Sequence, residues 1–296
     1  MNYAIIVNPN SGKKKSIKIL NKIVIPKLLS NNHDYETYVT DRPLHASSLS
    51  KTMNFNNYES VILLGGDGTL HEFINGMMQR EDKMKLPIGV VPTGSGNSFL
   101  MDFNISNCTE AMERILQNKK MKVDLLEVQC ENNIYYSINL VGWGMVNDIG
   151  VYAEKIRWIG PIRYILSSIR EIFIYNPKDI NIIIDGTNYS DKYSFIIACN
   201  TIHIGKGMKM APKALLNDGK MDLVIVKNNF SRLKLLQMLP KIFSGKHINS
   251  TLVEYLQVQN FEIKSANGDT LNIDGENIGR LPVKIRVKKE AISIQI

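Results

Sequence analysis

One short segment carries the most specific chemical information in the sequence. Gly65-Gly66-Asp67-Gly68-Thr69 forms a loop that follows a short apolar run and precedes a helical pattern. Glycines let a backbone approach a ligand closely, and the free N–H groups at the start of the next helix suit phosphate. Because an aspartate repels bare phosphate, we interpret Asp67 as a ligand of Mg²⁺ or as the acceptor of a proton from an attacking hydroxyl. A tight turn with an N-capping aspartate is the alternative.

Two further loops resemble the first in position. Pro92-Thr93-Gly94-Ser95-Gly96-Asn97-Ser98 also lies between a strand and a helix, and Asn8-Pro9-Asn10-Ser11-Gly12-Lys13-Lys14-Lys15 follows the first strand. The segment after the first strand lacks the glycine and Gly-Lys-Ser/Thr order of a Walker A loop, which excludes that motif. Loops at the carboxyl ends of neighbouring parallel strands lie side by side, where open α/β sheets bind ligands. The paired glycine loops therefore point to a nucleotide polyphosphate; an ordinary turn and a solvated lysine face are the alternatives.

The elements that must position these loops alternate between strand and helix over the first 125 residues. This alternation predicts βαβ units around a mostly parallel sheet. The expected strands are Tyr3–Val7, Tyr35–Thr40, Ser60–Leu64 and Ile88–Val91, and the expected helices are 17–28, Thr69–Gln79 and Ala111–Gln117.

The pattern changes after Val123, where most segments are short, β-rich and separated by Asn-Gly, Asp-Gly or lysine-rich turns. The expected strands there are Val123–Gln129, Ile134–Leu140, Ile180–Ile184, Tyr193–Cys199, Met221–Val226, Leu252–Lys264, Thr270–Ile273, Val283–Val287 and Ala291–Ile296. Two helical stretches, Asp148–Ile174 and Phe230–Phe243, interrupt them. We therefore predict an α/β domain over residues 1–125 and an all-β sandwich or barrel with helical insertions over residues 126–296.

Composition limits the partners and the compartment. The 296 residues include 36 Lys plus Arg against 28 Asp plus Glu, a net charge of +8 that favours phosphates, nucleic acid or an acidic membrane surface. A solvated basic surface is the alternative. Three widely spaced cysteines argue against a disulfide framework or a zinc site. With neither an apolar run of about 20 residues nor the features of a signal peptide, we expect a cytoplasmic protein.

The ordered motifs of the whole chain resemble the diacylglycerol kinase and sphingosine kinase superfamily. The three loops match its catalytic domain, together with His71-Glu72 and Asn75-Gly76. The second half contributes Gly142-Trp143-Gly144, Glu154-Lys155, Arg157-Trp158, Gly160, Arg163-Tyr164, Asn200-Thr201, Gly205-Lys206-Gly207-Met208, Ala211-Pro212, Asp218-Gly219, Asp222 and Asp274-Gly275-Glu276. The resemblance implies an NAD-kinase/phosphofructokinase-like α/β domain followed by a β-sandwich. It also implies transfer of the γ-phosphoryl group of ATP to the hydroxyl of a membrane lipid.

The resemblance also implies which residues contact ATP. They are Asn8, Ser11, Gly12, Thr40, Gly65, Gly66, Asp67, Gly68, Thr69, Thr93, Gly94, Gly96 and Asn97, with the phosphate-contacting arginines Arg157 and Arg163. Two guanidinium groups suit the charge of a transferring phosphate. Arginines extending from an amphipathic helix towards solvent are the alternative.

Carboxylates matching Asp67 and Asp124 hold Mg²⁺ in bacterial members, whereas Ser98 stands where a third aspartate would sit. A structural Mg²⁺ of those relatives matches the turn of Leu215, Asp218 and Lys220, which otherwise signals a plain hairpin. For the proton acceptor the resemblance leaves Asp67 and the Asp274/Glu276 pair open, and a type I′ turn is the structural alternative for Asp274-Gly275.

Substrate preference depends on Asp148 and Gly150. In sphingosine kinases an acidic residue at the position of Gly150 binds the amino-alcohol head group, so a diacylglycerol-type or other neutral lipid is expected here, with Asp148 as a lipid contact. The apolar stretch 148–174 with its arginines suits an anionic membrane, although a helix packed on its own sandwich is an alternative. We expect no nucleic-acid partner and keep a homodimer open. The rival functions are a sphingoid-base kinase, a soluble-substrate kinase such as an NAD kinase, and an inactive lipid-binding module.

Overall fold

The structure, a computed structural model, describes residues 1–12, 14–94, 96–205, 207–227, 231–264 and 268–296, without the side chains of Arg157 and Pro161. Its contacts divide the chain into one unit of residues 1–123 with 290–296 and a second unit of residues 124–289. The sequence placed residues 290–296 in the second domain. They lie in the first unit because Ile294 pairs with Ile88 and the Gln295 amide accepts a hydrogen bond from the Ser60 hydroxyl.

The first unit is built on four parallel strands joined through helices. The strands are β1 (Asn2–Val7), β2 (Asp34–Val39), β3 (Ser60–Gly65) and β4 (Ile88–Pro92), and the helices are α1 (Ser16–Ile19), α2 (Ile25–Ser30), α3 (His45–Thr52), α4 (Asp67–Met78), α5 (Ser98–Met101) and α6 (Cys108–Leu116). A π-helical segment, Leu20–Val24, joins α1 to α2. Helices α3 and α5 were not predicted.

The strand order in this unit is β2–β1–β3–β4, with every pairing parallel. Each residue of β3 is buried, as is typical of a parallel strand that is covered on both faces. Since the chain moves to one side of β1 to form β2 and to the other side to form β3, the order reverses between β1 and β3. Ligands of open α/β sheets bind outside the carboxyl ends at such a reversal.

The second unit is largely antiparallel. Its strands are β5 (Lys120–Cys130), β6 (Asn133–Ser137), β7 (Leu140–Gly144), β8 (Lys178–Ile184), β9 (Thr187–Cys199), β10 (His203–Ile204), β11 (Met208–Lys209), β12 (Met221–Lys227), β13 (Val253–Val258), β14 (Asn260–Lys264), β15 (Thr270–Ile273), β16 (Glu276–Arg280) and β17 (Val283–Gln295), of which β5 begins and β17 ends in the first unit. Its helices are α7 (Met145–Lys155), α8 (Arg163–Ile174) and α9 (Arg232–Ser244), with 3₁₀ segments Arg157–Ile162 and Lys246–Asn249.

Two buried clusters show how this sheet system is covered. One contains Trp143, Leu223 and Phe261 between β-strands. The other joins strand residues to Met145 of α7, Ile172 of α8 and several residues of α9. The predicted fold class, an α/β domain followed by a β-sandwich with helical insertions, is confirmed.

Several element boundaries differ from the predicted ones. The single helical stretch predicted from Asp148 is interrupted at Gly160, whose φ of 74° ends the helical backbone. Two predicted strands, 134–140 and 252–264, are each divided, and the last two predicted strands form one strand, β17. Strand β16 was not predicted, and Phe230, the predicted start of a helix, lies outside the described residues. None of the helices in the described ranges has the length and apolar character needed to cross a membrane.

Candidate nucleotide and lipid sites

Three loops meet at the carboxyl ends of the parallel strands in the first unit. Gly12 has φ +58°, and a Cβ there would lie 1.9 Å from the carbonyl oxygen of Thr93. A Cβ on Gly94 would lie 2.5 Å from the Cα of Gly66, so both positions require glycine. The Thr93 hydroxyl donates to the Ser11 hydroxyl at 3.2 Å. The loops after β1, β3 and β4 are therefore in direct contact.

Asp67 links two of these loops. The sequence placed it on a loop, but it is the first residue of α4, and Gly66 precedes the helix in an extended conformation. Its carboxylate accepts hydrogen bonds from the backbone N–H groups of Ser98 at 2.9 Å and of Phe99 at 3.3 Å. The start of α5 is thereby fastened to Asp67, and the negative charge lies favourably at the N-terminus of α4.

The other predicted nucleotide contacts of this unit line the same edge. Asn8 donates to the Thr69 hydroxyl at 3.1 Å, and the buried Thr40 donates its N–H to the carbonyl of Val7 at 2.9 Å. The Gly65 carbonyl accepts the N–H groups of Thr93 and Gly94 at 3.0 and 3.1 Å. A Cβ on Gly96 would lie 3.0 Å from the Asp67 carboxylate, and Gly68 is the second residue of α4.

Asn97 presents an unsatisfied acceptor beside these glycines. Its φ is +55°, and its amide nitrogen donates to the Gly94 carbonyl at 2.9 Å. The amide oxygen is buried and has no hydrogen-bond partner among the described residues. Lys13 and Ser95, which belong to the predicted loops, lie outside the described residues. Small residues and the N-terminus of α4 thus form an edge that suits a polyphosphate.

In the second unit, the Asp274 carboxylate accepts hydrogen bonds from the turn at residues 137–140. One carboxylate oxygen accepts hydrogen bonds from the Ser137 hydroxyl at 2.7 Å and from the N–H groups of Asn139 and Leu140 at 2.8 and 3.0 Å. The other accepts the N–H of Ile138 at 3.0 Å. Four donors therefore hold this carboxylate, which fixes the connection between β6 and β7.

Glu276 has a different environment, two residues further along. Asp274 and Gly275 both have positive φ and form the two-residue loop between β15 and β16, as in a type I′ hairpin. Glu276 begins β16 and is exposed. Among the described residues, no hydrogen bond or ion pair involves its carboxylate. Asp274 is thus a structural anchor, whereas Glu276 is available to a ligand.

Asp124 is connected to the predicted metal turn. It is fully buried, one carboxylate oxygen accepts the N–H of Gly219 at 2.7 Å, and its own N–H donates to the Leu216 carbonyl at 2.7 Å. The carboxylate of Asp218 accepts the N–H of Lys220 at 2.9 Å. The side chain of Leu215 is exposed.

The chemistry of this turn fits a hard cation, since the Asp218 carboxylate and backbone carbonyls are the kinds of oxygen ligand that Mg²⁺ prefers. No group of three or more His, Cys, Asp or Glu side chains that could hold a metal forms within the described ranges. Side chains of these four types thus do not by themselves surround a metal ion at any one place in the described chain.

Asn200 ties the metal turn to the Asp274 anchor. Its side-chain nitrogen donates to the carbonyls of Asp124 and Ile138, both at 2.9 Å, and its N–H donates to the Asn139 carbonyl at 2.8 Å. One hydrogen-bonded network therefore runs from the turn at 215–220 to the turn at 137–140. The sequence analysis included Asn200 in a motif of the resemblance but predicted no role for it.

Of the two arginines predicted to contact phosphate, Arg163 already has protein partners. Arg163 is mostly buried and forms an ion pair with Glu154 at 3.1 Å. It also donates to the Tyr164 hydroxyl at 3.0 Å. The side chain of Arg157 and the whole of Lys206 lie outside the described residues. Within the second unit, Arg163 joins α8 to α7.

The predicted lipid contact, Asp148, lies on α7 near the hairpin that carries Glu276. Burial raises the pKa of Asp148, and the nearby Lys178 only partly opposes that effect. Gly150, also on α7, lies so close to Asn272 that a Cβ would be 3.0 Å from its amide nitrogen. The Asn272 amide oxygen in turn accepts the N–H of Gly275 at 3.0 Å.

Asn272 and Tyr175 were missed by sequence reasoning. Asn272 precedes the Asp-Gly-Glu segment by two residues, and this proximity was the only available signal. The Tyr175 hydroxyl is buried without a hydrogen-bond partner among the described residues. Its pKa is raised mainly by burial and also by the negative charge of Asp148. The structure therefore brings Asp148, the Asp-Gly-Glu hairpin and unpaired polar groups into one unit.

Comparison with known protein families agrees with the geometry. Residues 2–128 match the diacylglycerol kinase catalytic domain, and residues 139–296 match the YegS C-terminal NAD kinase beta sandwich-like domain. The chain belongs to the diacylglycerol kinase and sphingosine kinase superfamily, whose named members are lipid kinases.

Two relatives show the breadth of this family. The chain is 30% identical to a diacylglycerol kinase of Staphylococcus aureus, over 94% of this chain and 87% of the relative. It is 27% identical to sphingosine kinase 1 of Arabidopsis thaliana over 88% of this chain, but it spans only 63% of that protein.

Two solved structures share the fold. A diacylglycerol kinase from Bacillus anthracis superposes with a TM-score of 0.81 at 23% identity, covering 99% of this chain and 96% of the other. An NAD kinase from Archaeoglobus fulgidus in complex with ATP superposes with a TM-score of 0.55 at 10% identity, covering 99% and 93%. These identities establish similarity of fold alone.

Proposed function

We propose that this protein is an ATP-dependent lipid kinase that transfers the γ-phosphoryl group to the hydroxyl of a diacylglycerol-type neutral lipid. The observation that carries the proposal is the contact of three loops around Asp67, at the reversal of the strand order in the first unit. Glycine is required where these loops meet, and the first turn of α4 begins there with Asp67, Gly68 and Thr69. This arrangement supports polyphosphate binding.

In this proposal the residues from Asn8 to Asn97 that line the edge hold the nucleotide, and Asp67 holds Mg²⁺ through its carboxylate. Bound Mg²⁺ neutralises charge on the phosphates during transfer. Mg²⁺ is commonly held by one or two carboxylates together with substrate phosphates, which agrees with the small number of carboxylates gathered at any one place. Asp218 and the carbonyls of Leu215 and Lys220 would hold a structural Mg²⁺. Asp124, whose carboxylate accepts the Gly219 N–H, remains a proposed Mg²⁺ ligand.

Glu276 accepts the proton of the lipid hydroxyl, and Asp274 positions the hairpin that carries it. The support is the contrast in hydrogen bonding, because four donors occupy Asp274, whereas none of the described residues donates to Glu276. A general base needs a free lone pair within reach of the proton that it removes. Arg157 and Arg163 remain proposed phosphate contacts, and for Arg163 this role requires exchange of its Glu154 partner.

A neutral head group is favoured by the surroundings of Asp148. A raised pKa means that burial already penalises its charge, and Lys178 adds a positive neighbour. Gly150 supplies no second carboxylate, so a protonated amine would be desolvated with little compensation. The nearly full-length match to bacterial proteins named diacylglycerol kinase supports the same choice.

A sphingoid-base kinase is the second candidate, because Asp148 remains and a plant sphingosine kinase is among the relatives. A soluble-substrate kinase and an inactive lipid-binding module are the further rivals. We also propose a cytoplasmic location with peripheral attachment to anionic membranes, based on the net charge of +8.

The deciding experiment is transfer of labelled γ-phosphate from ATP in the presence of mixed-lipid vesicles, with diacylglycerol, sphingosine and NAD as separate acceptors. The proposal predicts labelled lipid with diacylglycerol as the best acceptor and no transfer after Mg²⁺ is chelated. Exclusive labelling of NAD, or no labelling of any acceptor, would reject it.

A further inference from the structure

The exposed apolar side chains of the second unit concentrate on one helical hairpin. Among the described residues, seven of the sixteen large hydrophobic side chains that are exposed lie between residues 145 and 174. Five of them form what we call the outer apolar face: Trp158, Ile162, Ile165, Leu166 and Phe173. Trp158, in the 3₁₀ segment between α7 and α8, is 85% exposed. The spacing of 162, 165, 166 and 173 places those residues on one side of α8.

The buried side of α8 is unusually polar. Arg163, Ser167 and Glu171 follow each other at intervals of four residues, which places them on one helical face. Ser167 and Glu171 are buried, and Arg163 is mostly buried. The Ser167 hydroxyl and the Arg163 Nε have no hydrogen-bond partner among the described residues. Ile172 is the residue of α8 that joins a buried apolar cluster.

This distribution reverses the usual one, since a surface helix normally buries its apolar stripe and exposes its polar one. Burying unpaired polar atoms costs free energy. An apolar surface that stays exposed to water contributes no stabilising free energy to offset this cost. The pattern becomes favourable when an apolar medium covers the outer face.

The helix that packs beside α8 is rich in exposed cations. Helix α9 packs beside α8, and residues 231–246 carry four exposed cations and no carboxylate: Arg232, Lys234, Lys241 and Lys246. Residues 145–174 add four cations against three carboxylates, so the two segments together hold five of the eight net positive charges. A second copy of the chain on the same face would bring these cations together, whereas an anionic bilayer attracts them.

We propose that the hairpin from α7 to α8 docks on an anionic lipid bilayer by inserting Trp158 and the outer apolar face, with the cations of α9 at the head groups. Tryptophan is favoured at the boundary between head groups and acyl chains. The inference rests on the proposed function, which places the substrate in a bilayer, and it adds the surface that makes the contact and an apolar component of binding.

Tryptophan fluorescence tests the insertion without ATP or turnover. The chain has two tryptophans, and Trp143 is only 1% exposed, so a change on membrane binding reports on Trp158. With vesicles of phosphatidylcholine and phosphatidylglycerol, emission should shift to shorter wavelength and be quenched by lipids brominated near the head groups. Trp158→Phe should abolish both changes and retain the emission of Trp143, which verifies folding.

Partition measurements test the apolar contribution. The double variant Ile165→Ser/Phe173→Ser should weaken binding to the same vesicles by about tenfold or more, since burying such a side chain contributes about 1.5–3 kcal/mol. Leu29→Ser, which alters a residue 58% exposed in the first unit, is the matched control and should leave binding unchanged.

Unchanged Trp158 emission on vesicles, or equal binding of the double variant and the control, overturns the proposal. A blue shift that depends on protein concentration without vesicles, with a doubled mass in sedimentation, assigns the face to a second copy and also overturns it. Insertion without kinase activity would reject the proposed function alone, and activity on dispersed lipid without insertion would reject the docking alone.

Discussion

Asp274→Asn and Glu276→Gln should separate a structural carboxylate from a reactive one. An asparagine at 274 retains one oxygen, which replaces the oxygen that accepts from Ser137, Asn139 and Leu140. In the wild type, the N–H of Ile138 donates a hydrogen bond to the other Asp274 carboxylate oxygen at 3.0 Å. In the variant, the NH₂ group of the asparagine replaces that oxygen and faces the same N–H. The variant therefore loses one charge-assisted bond, creates a donor–donor contact and weakens three other bonds.

The size of this effect follows from the bonds affected. A hydrogen bond to a charged group contributes about 1.5–3 kcal/mol, and an unsatisfied buried donor costs about 1–3 kcal/mol. We therefore expect Asp274→Asn to lower the free energy of unfolding by about 3–5 kcal/mol. A domain of this size loses about 2–4 °C in Tm for each kcal/mol, so Tm should fall by roughly 6–20 °C.

Glu276→Gln changes no intramolecular bond of the described residues and should leave Tm within about 1 °C, as is usual for a surface substitution. Its kcat should fall by roughly 10²–10⁴, the typical contribution of a general base. Thermal unfolding by circular dichroism and phosphoryl transfer at a temperature where both variants are folded are the two measurements. If Asp274→Asn leaves Tm unchanged while abolishing transfer, or if Glu276→Gln turns over normally, the assignment of roles is wrong.

Four further predictions concern the nucleotide loops, the head group and the membrane. Asp67→Asn should reduce phosphoryl transfer by about 10³-fold or more, through loss of Mg²⁺ coordination. Asp34→Asn, at the exposed start of β2, should have no effect in the same ATP assay. Gly150→Asp should shift the ratio of kcat/KM for diacylglycerol and sphingosine towards sphingosine, because a Cβ there requires only a small displacement of the Asn272 amide; wild-type preference for sphingosine would contradict the argument. Asp148→Asn should raise Tm at pH 7.5 but not at pH 3. Burial raises the pKa of Asp148, so its protonated form stabilises the fold at low pH. That stability is lost as the pH rises through the folded-state pKa, and the neutral asparagine does not lose it. Sedimentation with anionic vesicles should decrease as salt is added, since each Lys or Arg near the surface contributes about 1 kcal/mol, and equal binding to neutral vesicles would contradict this.

Much of the first unit could be predicted from the sequence because its signals are local. The apolar run of β3 followed by Gly65-Gly66-Asp67 defines a strand, a close backbone approach and a helix start without reference to distant residues. Parallel βαβ connection then requires the loops to lie at one edge. Helix α5 was missed because its start is stabilised by Asp67, a residue about 30 positions earlier in the chain.

The sequence alone determined the family, the two kinds of architecture and the set of candidate carboxylates, since each depends on residue types in a fixed order. Only the tertiary structure distinguished Asp274 from Glu276, because that distinction depends on a turn more than 130 residues away that donates four hydrogen bonds to one of them. The same holds for residues 290–296, whose place in the first unit depends on Ser60 and Ile88. Periodicity describes which residues share a face, but long-range pairing decides what covers that face, and this is why the reversed polarity of α8 became visible only in the folded chain.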